Sequence, residues 1–157
     1  MNRYEGSMAL ITGGSRGIGA AVALRLAQEG CDVAVTYEQN AGHAATVVEG
    51  IKELGRRAIA IQADSADPTA LTSAVDEAAA TFGRLDILVN NAGVFLVGSV
   101  EEVAAADIDR TLAVNVRAPY VASQAAVRHM DRGGRIISIG SNMAERTVFS
   151  GFSLYAM

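Results

Sequence analysis

Apolar residues gather in five short runs, SMALIT (7–12), DVAVT (32–36), AIAIQ (58–62), LDILVN (85–90) and RIISI (135–139). Each is rich in Val, Ile and Leu or small apolar residues and too short for a helix, so each predicts a buried strand. Between the runs the apolar positions change to helical spacing: Ile18, Val22 and Leu26, then Ala44, Val47, Val48, Ile51 and Leu54, then Leu71, Val75, Ala78, Ala79 and Phe82. Gly30, Gly55 and Gly83 fall just beyond these segments, where a left-handed residue ends a helix. A further long helix is predicted over 107–130, with Pro119 inside it. Strand and helix in alternation, with short connections, imply right-handed crossovers and a parallel sheet covered on both faces.

A chain of 157 residues that is 50% apolar can bury one sizeable core, and a single doubly wound α/β domain accounts for everything to Ile139. The net charge of -4 is scattered, with no basic run to hold a phosphate backbone, which argues against a nucleic-acid partner. Cys31 is the single cysteine, so no intrachain disulfide can form. The segment MNRYEGSMAL lacks the apolar core of a signal peptide and no apolar run could span a bilayer. A soluble cytoplasmic protein with no membrane partner is the expectation, and no metal site is assigned.

The first candidate chemistry is TGGSRGIG (12–19), which places Gly13, Gly17 and Gly19 between the first strand and a helix containing Ala20, Ala21 and Ala23. Glycine allows a tight turn and lets backbone approach a diphosphate, while the helix N-terminus offers unpaired N–H groups and the positive end of its dipole. The spacing Gly-x-x-x-Gly-x-Gly differs from the common Gly-x-Gly-x-x-Gly fingerprint, although the strand–turn–helix context is the same. A turn that merely needs glycines is the plainer alternative.

Pro119 marks a second place of interest. Proline has no N–H and presses against the carbonyl four residues earlier, that of Asn115. A freed carbonyl at the mouth of a cleft could seat an ordered water. Otherwise the proline simply bends a helix around the core and the Asn115 side chain repairs the break.

TGGSRGIG (12–19), NNAG (90–93), Asn115, a serine just past the fifth strand and a tyrosine about a dozen residues later together resemble the classical short-chain dehydrogenase/reductase family. The phrases DILVNNAG and SRGIG are similar to its branch of 3-oxoacyl-(acyl carrier protein) reductases and related NADPH-dependent carbonyl reductases. The resemblance implies a Rossmann-type sheet in the order 3-2-1-4-5. It implies a nicotinamide coenzyme held by Gly13, Ser15, Arg16, Gly17, Ile18 and Gly19, by Tyr37, by Asp64 and Ser65 near the adenine, and by Asn91, Ala92 and Gly93 near the adjoining ribose. A plain reading of Asp64 is that it caps the helix starting near Pro68.

An NAD(H) site usually ends the second strand in a carboxylate, which a 2′-phosphate would find repulsive. Here Thr36 and Tyr37 stand at that end and Arg16 in the turn, favouring NADP(H) over NAD(H), although Glu38 follows at once.

By the same resemblance, Tyr155 is the general acid in reduction of a small-molecule carbonyl, Ser141 hydrogen-bonds the carbonyl oxygen, and Asn115 holds a relay water. Ser138, inside the strand, is read as structural. Tyrosine, with a pKa of about 10, is a poor base, and the family corrects this with a lysine four residues on. That would be position 159, whereas Lys52, the single lysine, lies in the second helix. The chain is therefore expected to be a C-terminally incomplete piece of a protein of about 250 residues. Its fifth strand would then be an open edge. Ala144, Glu145, Arg146, Val148 and Phe149 are candidates to touch the substrate. The full-length protein is expected to be a homodimer or homotetramer, joined through the helix bearing Pro119 and the one starting near Tyr155. A cofactor-holding pseudoenzyme is the second reading, and a mere scaffold would leave the glycine turn and NNAG unexplained.

Overall fold

Side chains alternate across β1 (Met8–Ile11): Met8 and Leu10 join the core on one side of the sheet, Ala9 and Ile11 that on the other. The same period of two sorts Ala34 from Val33 and Val35 in β2 (Asp32–Tyr37), and Leu88 from Ile87 and Val89 in β4 (Ile87–Asn90). With β3 (Ala58–Gln62) and β5 (Arg135–Ser138) these strands form one parallel five-stranded sheet in the order β3-β2-β1-β4-β5. The computed structural model describes residues 3–147 and 149–157.

Helices α1 (Gly17–Gln28) and α2 (Ala41–Glu53) cover one face, and α3 (Pro68–Phe82) and α5 (Ala118–Ala126) the other. The buried face of α1 is Gly19, Ala23 and Ala27, with Val22 and Leu26 at its margin. Ile18, expected inside, is 62% exposed because the tight turn leading into the helix leaves it over the cleft described below. Leu54, also expected inside, is exposed just past the end of α2. Gly30, Gly55 and Gly83 all have positive φ, as their positions after the helices require. Asp67, not Asp64, caps α3: its Oδ1 accepts from the N–H groups of Thr69 at 2.8 Å and Ala70 at 3.2 Å.

Two expectations fail in the second half. The helix over 107–130 is divided into α4 (Ala105–Thr111), a π-helical stretch (Leu112–Arg117) and α5, and ends at Ala126 in tight turns. The register changes just before Pro119, with the Ala118 N–H bonded to the Ala113 carbonyl. The fifth strand is not buried either. All of β5 is exposed, Ile136 and Ile137 by 41% and 47%: it is the open edge expected of it, bonded to β4 alone and without the cover that α2 and α3 give the other edge strand, β3. Beyond it come a 3-10 turn (Asn142–Ala144) and the short α6 (Ser153–Ala156). Among the described residues no helix is long and apolar enough to cross a membrane.

Candidate functional site

The carboxyl ends of β1, β2 and β4 are joined by polar groups that the alternating pattern leaves nearly buried. Thr12 Oγ1 accepts from the N–H groups of Asn91 at 3.0 Å and Ala92 at 3.1 Å. The Asn91 side chain answers by donating to the carbonyls of Thr12 (2.9 Å) and Gly13 (3.1 Å). From β2, Thr36 accepts at Oγ1 from the Gly13 N–H at 3.0 Å and at its carbonyl from the Gly14 N–H at 2.9 Å. The glycine-rich turn and the NNAG turn are thus one unit.

Glycine is required in this unit by contact. A Cβ on Gly13, whose φ is +63°, would lie 2.9 Å from the Ala92 Cα, and one on Gly19 would lie 2.5 Å from Asn91 Nδ2 and 2.6 Å from the Gly13 carbonyl oxygen. Gly17 is different: its φ is +54° and nothing lies within 4 Å of the Cβ position, so the turn opens on space. Asn40 and Asp67 cap α2 and α3, but no side chain caps α1. Its first N–H groups and its dipole are left to an anion.

That space is a cleft of about 760 Å³ at the carboxyl ends of the strands, within the range of small-molecule sites. Its walls contain Gly13, Ser15, Arg16, Gly17 and Ile18 from the turn, Tyr37 from β2, Ser65 after β3, and Asn91, Ala92 and Gly93 after β4. Gly19 is buried behind the wall. A dinucleotide fits this set: small residues where backbone must come close, an uncapped helix start for the diphosphate, and strand ends for the two nucleosides.

Arg110 of α4 forms another part of the wall. Its Nη1 donates to Asp64 Oδ1 at 2.9 Å and Oδ2 at 2.8 Å, and its Nη2 to Glu38 Oε2 at 2.9 Å. The Arg110 hydrogen bond holds the Asp64 carboxyl below the usual carboxylate range against the opposing pull of burial, helped by the Ala66 N–H at 2.8 Å. Asp64 is therefore an ion-pair partner behind the wall and not a helix cap.

The residues expected to carry chemistry lie outside the walls of this cleft, toward the loops after β4 and β5. Asn115 Oδ1 accepts from the Val94 N–H and its Nδ2 donates to the Val94 carbonyl, both at 2.9 Å, so the side chain clamps the loop that follows NNAG. This bonding is not the helix repair expected of the Asn115 side chain, and the backbone carbonyl, the expected seat of the water, takes no part in it. Ser141 is half-buried and its Oγ accepts from the Met143 N–H at 3.2 Å, capping the 3-10 turn. Ser138 Oγ accepts from Asn90 Nδ2 at 3.4 Å, but Ser138 is exposed with the rest of β5, so the packed face expected around it is absent.

Tyr155 is half-buried on α6 with its ring edge-on to Phe95 at 4.7 Å, and Phe95 also meets Phe152 at 5.3 Å. The Gly98 N–H donates to the Gly151 carbonyl at 2.9 Å, so the loops after β4 and β5 touch. Of the substrate-loop candidates, Glu145 and Arg146 are exposed, Ala144 belongs to the 3-10 turn and Phe149 packs on Phe152, while Val148 lies outside the described residues. Among the described residues no hydrogen bond joins Asn115, Ser141 and Tyr155 to one another.

Sequence reasoning missed Arg110 and the hydrogen-bonding roles of the Thr12 and Thr36 hydroxyls. The two threonines carry a signal, a lone hydroxyl at the carboxyl end of an apolar strand. Arg110 carries none, since its partners lie 46 and 72 residues away.

The chain matches the short chain dehydrogenase family over residues 7–156. It is 45% identical over 142 residues to a versicolorin reductase of Emericella nidulans, covering 90% of this chain and 54% of that protein. It is 63% identical, with a TM-score of 0.97, to a short chain dehydrogenase from Burkholderia cenocepacia solved in complex with NADP, covering 99% of this chain and 63% of that one. A blue fluorescent protein from a metagenomic library, solved in complex with NADPH, is 51% identical with a TM-score of 0.95, covering 99% of this chain and 64% of that one. The chain thus spans little more than half of the curated relative and under two thirds of the solved chains. With its Rossmann-type sheet, its glycine-rich turn and this match along nearly its whole length, the chain belongs to the short-chain dehydrogenase/reductase family.

Proposed function

We propose that the protein containing this chain is an NADP(H)-dependent oxidoreductase that reduces a carbonyl, in a ketone or a 3-oxoacyl thioester, to a secondary alcohol. The observation that carries this reading is the uncapped, glycine-lined start of α1 opening with Arg16 onto a cleft at the strand ends. The NADP and NADPH complexes of two solved relatives support the choice of coenzyme. The bound coenzyme would supply the hydride. The Tyr155 hydroxyl would deliver the proton to the developing alkoxide, and Ser141, with its O–H still free to donate, would orient the carbonyl oxygen. Asn115 would hold the loop after NNAG in place through Val94. A place among the 3-oxoacyl-(acyl carrier protein) reductase-like enzymes rests on DILVNNAG and SRGIG, and a cytoplasmic setting on the lone, buried thiol of Cys31. Self-association as a homodimer or homotetramer belongs to the same reading: Ile108, Leu112, Val116 and Tyr120 make an exposed apolar row at four-residue spacing on the segment bearing Pro119.

The test is a fluorescence titration of the complete protein with NADPH and NADH, followed by NADPH absorbance with a ketone and with a 3-oxoacyl thioester. NADPH binding and carbonyl-dependent oxidation are expected, with Tyr155→Phe keeping the first and losing the second. Folded protein with no affinity for either coenzyme would overturn the reading. Binding without oxidation of any carbonyl would leave a cofactor-holding protein in place of an enzyme.

A further inference from the structure

Glu38 follows β2 directly and lies on the cleft wall, where a free carboxylate would accept a hydrogen bond from a ribose 2′-hydroxyl and repel a 2′-phosphate. It is not free. Its Oε2 accepts from Arg110 Nη2 at 2.9 Å and its Oε1 from Gln39 Nε2 at 3.3 Å. Arg110 is held in turn by both oxygens of Asp64, so one guanidinium forks between two carboxylates. Both carboxylates pair with Arg110 and neither with Arg16, which lies on the same cleft.

We infer that Arg110 sets coenzyme preference by acting through Glu38: the ion pair neutralises the carboxylate and occupies the oxygen that would take a ribose hydroxyl, so that Arg16 meets the 2′-phosphate unopposed. Arg110 is a positioning residue here, and the inference rests on the NADP(H) reading above. Without Arg110 the adenosine end of the cleft carries two carboxylates against one guanidinium, and Glu38 is released to take the 2′-hydroxyl of NAD(H). Asp64 serves as the second anchor. With Ala66 N–H also bonded to it, Asp64 is fixed to the loop after β3 and gives Arg110 a defined direction toward Glu38.

The test measures dissociation constants of NADPH and NADH by fluorescence in the complete protein for wild type, Arg110→Met, Glu38→Gln and the double variant, with circular dichroism to check folding. Arg110→Met is expected to weaken NADPH about tenfold, equivalent to about 1.4 kcal/mol, and to leave NADH binding equal or tighter. The double variant, which removes the unmasked carboxylate, is expected to return the preference to within about threefold of wild type. A merely structural role for Arg110 would weaken both coenzymes alike and would not be rescued by Glu38→Gln.

An unchanged NADPH-to-NADH ratio in Arg110→Met overturns the inference, as does a double variant no better than the single one. Should Arg110→Met fail to fold, Arg110→Lys keeps the charge but cannot fork between two carboxylates. A severalfold fall in the ratio then supports the inference and an unchanged ratio overturns it. Wild-type protein that binds neither coenzyme overturns the proposed function and this inference together, whereas a wild-type NADPH preference that survives in Arg110→Met overturns the inference alone.

Discussion

Replacing Thr12 by valine tests whether the two turns of the cleft are held together as the structure shows. Thr12 is 4% exposed, and its hydroxyl is the acceptor for the Asn91 and Ala92 N–H groups. Valine fills nearly the same volume, so no cavity term enters. What changes is that two backbone donors lose their acceptor. A hydrogen bond of this kind is worth about 1 kcal/mol net, and a buried donor left alone costs about 1–3 kcal/mol. Because Asn91 and Ala92 are half-buried, cleft water can replace part of the loss, and a total near 2–3 kcal/mol is expected. Thr12→Ser keeps the hydroxyl and sheds one methyl, for a cost of about 1 kcal/mol. Urea denaturation at fixed protein concentration separates the two, provided that the slope m is unchanged. Thr12→Val should also weaken NADPH binding, since NNAG is then tied to the glycine turn by the Asn91 side chain and no longer by the Thr12 hydroxyl. A valine variant within about 0.5 kcal/mol of wild type, or more stable than the serine variant, would refute the argument.

The glycines should rank by what surrounds them: Gly17→Ala should cost about 1 kcal/mol for its positive φ alone. Gly13→Ala and Gly19→Ala, which meet Ala92 Cα at 2.9 Å and Asn91 Nδ2 at 2.5 Å, should cost more in the same denaturation assay. Acid should destabilise the fold through Asp86, where burial alone would raise the carboxyl pKa but the Arg84 bonds at 2.7 Å and the Met8 N–H at 2.8 Å together lower it. Since the folded value lies below the unfolded one of about 4, the stabilisation is complete above about pH 5 and drains as the pH falls further. Asp86→Asn should flatten the decline in unfolding free energy below about pH 4, and an unchanged acid limb would count against it. Burial, with the Asp86 charge nearby, pushes the Cys31 thiol up to about 11, so native protein at pH 8 should react with a thiol reagent only as fast as it opens. Stoichiometric labelling within seconds would contradict this.

The first four strands and the first three helices were legible in the sequence because each depends on local rules: short apolar runs, helical spacing, glycine at the helix ends; the sheet order came from the family resemblance. Ile18 shows where such a rule stops. It sits at helical spacing with Val22 and Leu26, yet it belongs to the turn that faces the cleft, and periodicity cannot tell a core face from a ligand face. β5 reads as a buried strand since its residues are apolar, but burial depends on what covers the edge. Most of the residues named from the family resemblance lie along one cleft, whereas Arg110 was not named, since nothing local pairs an arginine with acids 46 and 72 positions away.

The π-helical stretch accounts for the one segment where pattern and structure disagree most. In a regular α-helix Arg110 and Asn115, five residues apart, would point about 140° away from each other. Turns closed from residue i to i+5 reduce that angle, and they fall between these two residues, over Leu112–Arg117. Arg110 then reaches Glu38 and Asp64 in the loops after β2 and β3, while Asn115 reaches Val94 after β4. Arg117, at the end of the stretch, donates to the Ala66 carbonyl at 2.7 Å. Three side chains of one segment thus fasten the loops of three strands, at the end of the sheet where the cleft lies. Irregular helix geometry gives weaker hydrogen bonds than α-helical geometry, and the compensation here is polar contact with the loops that border the cleft. Pro119 fits the same account: it stands one residue inside α5, where a helix start has no use for its missing N–H, so the register change upstream is what makes proline acceptable there.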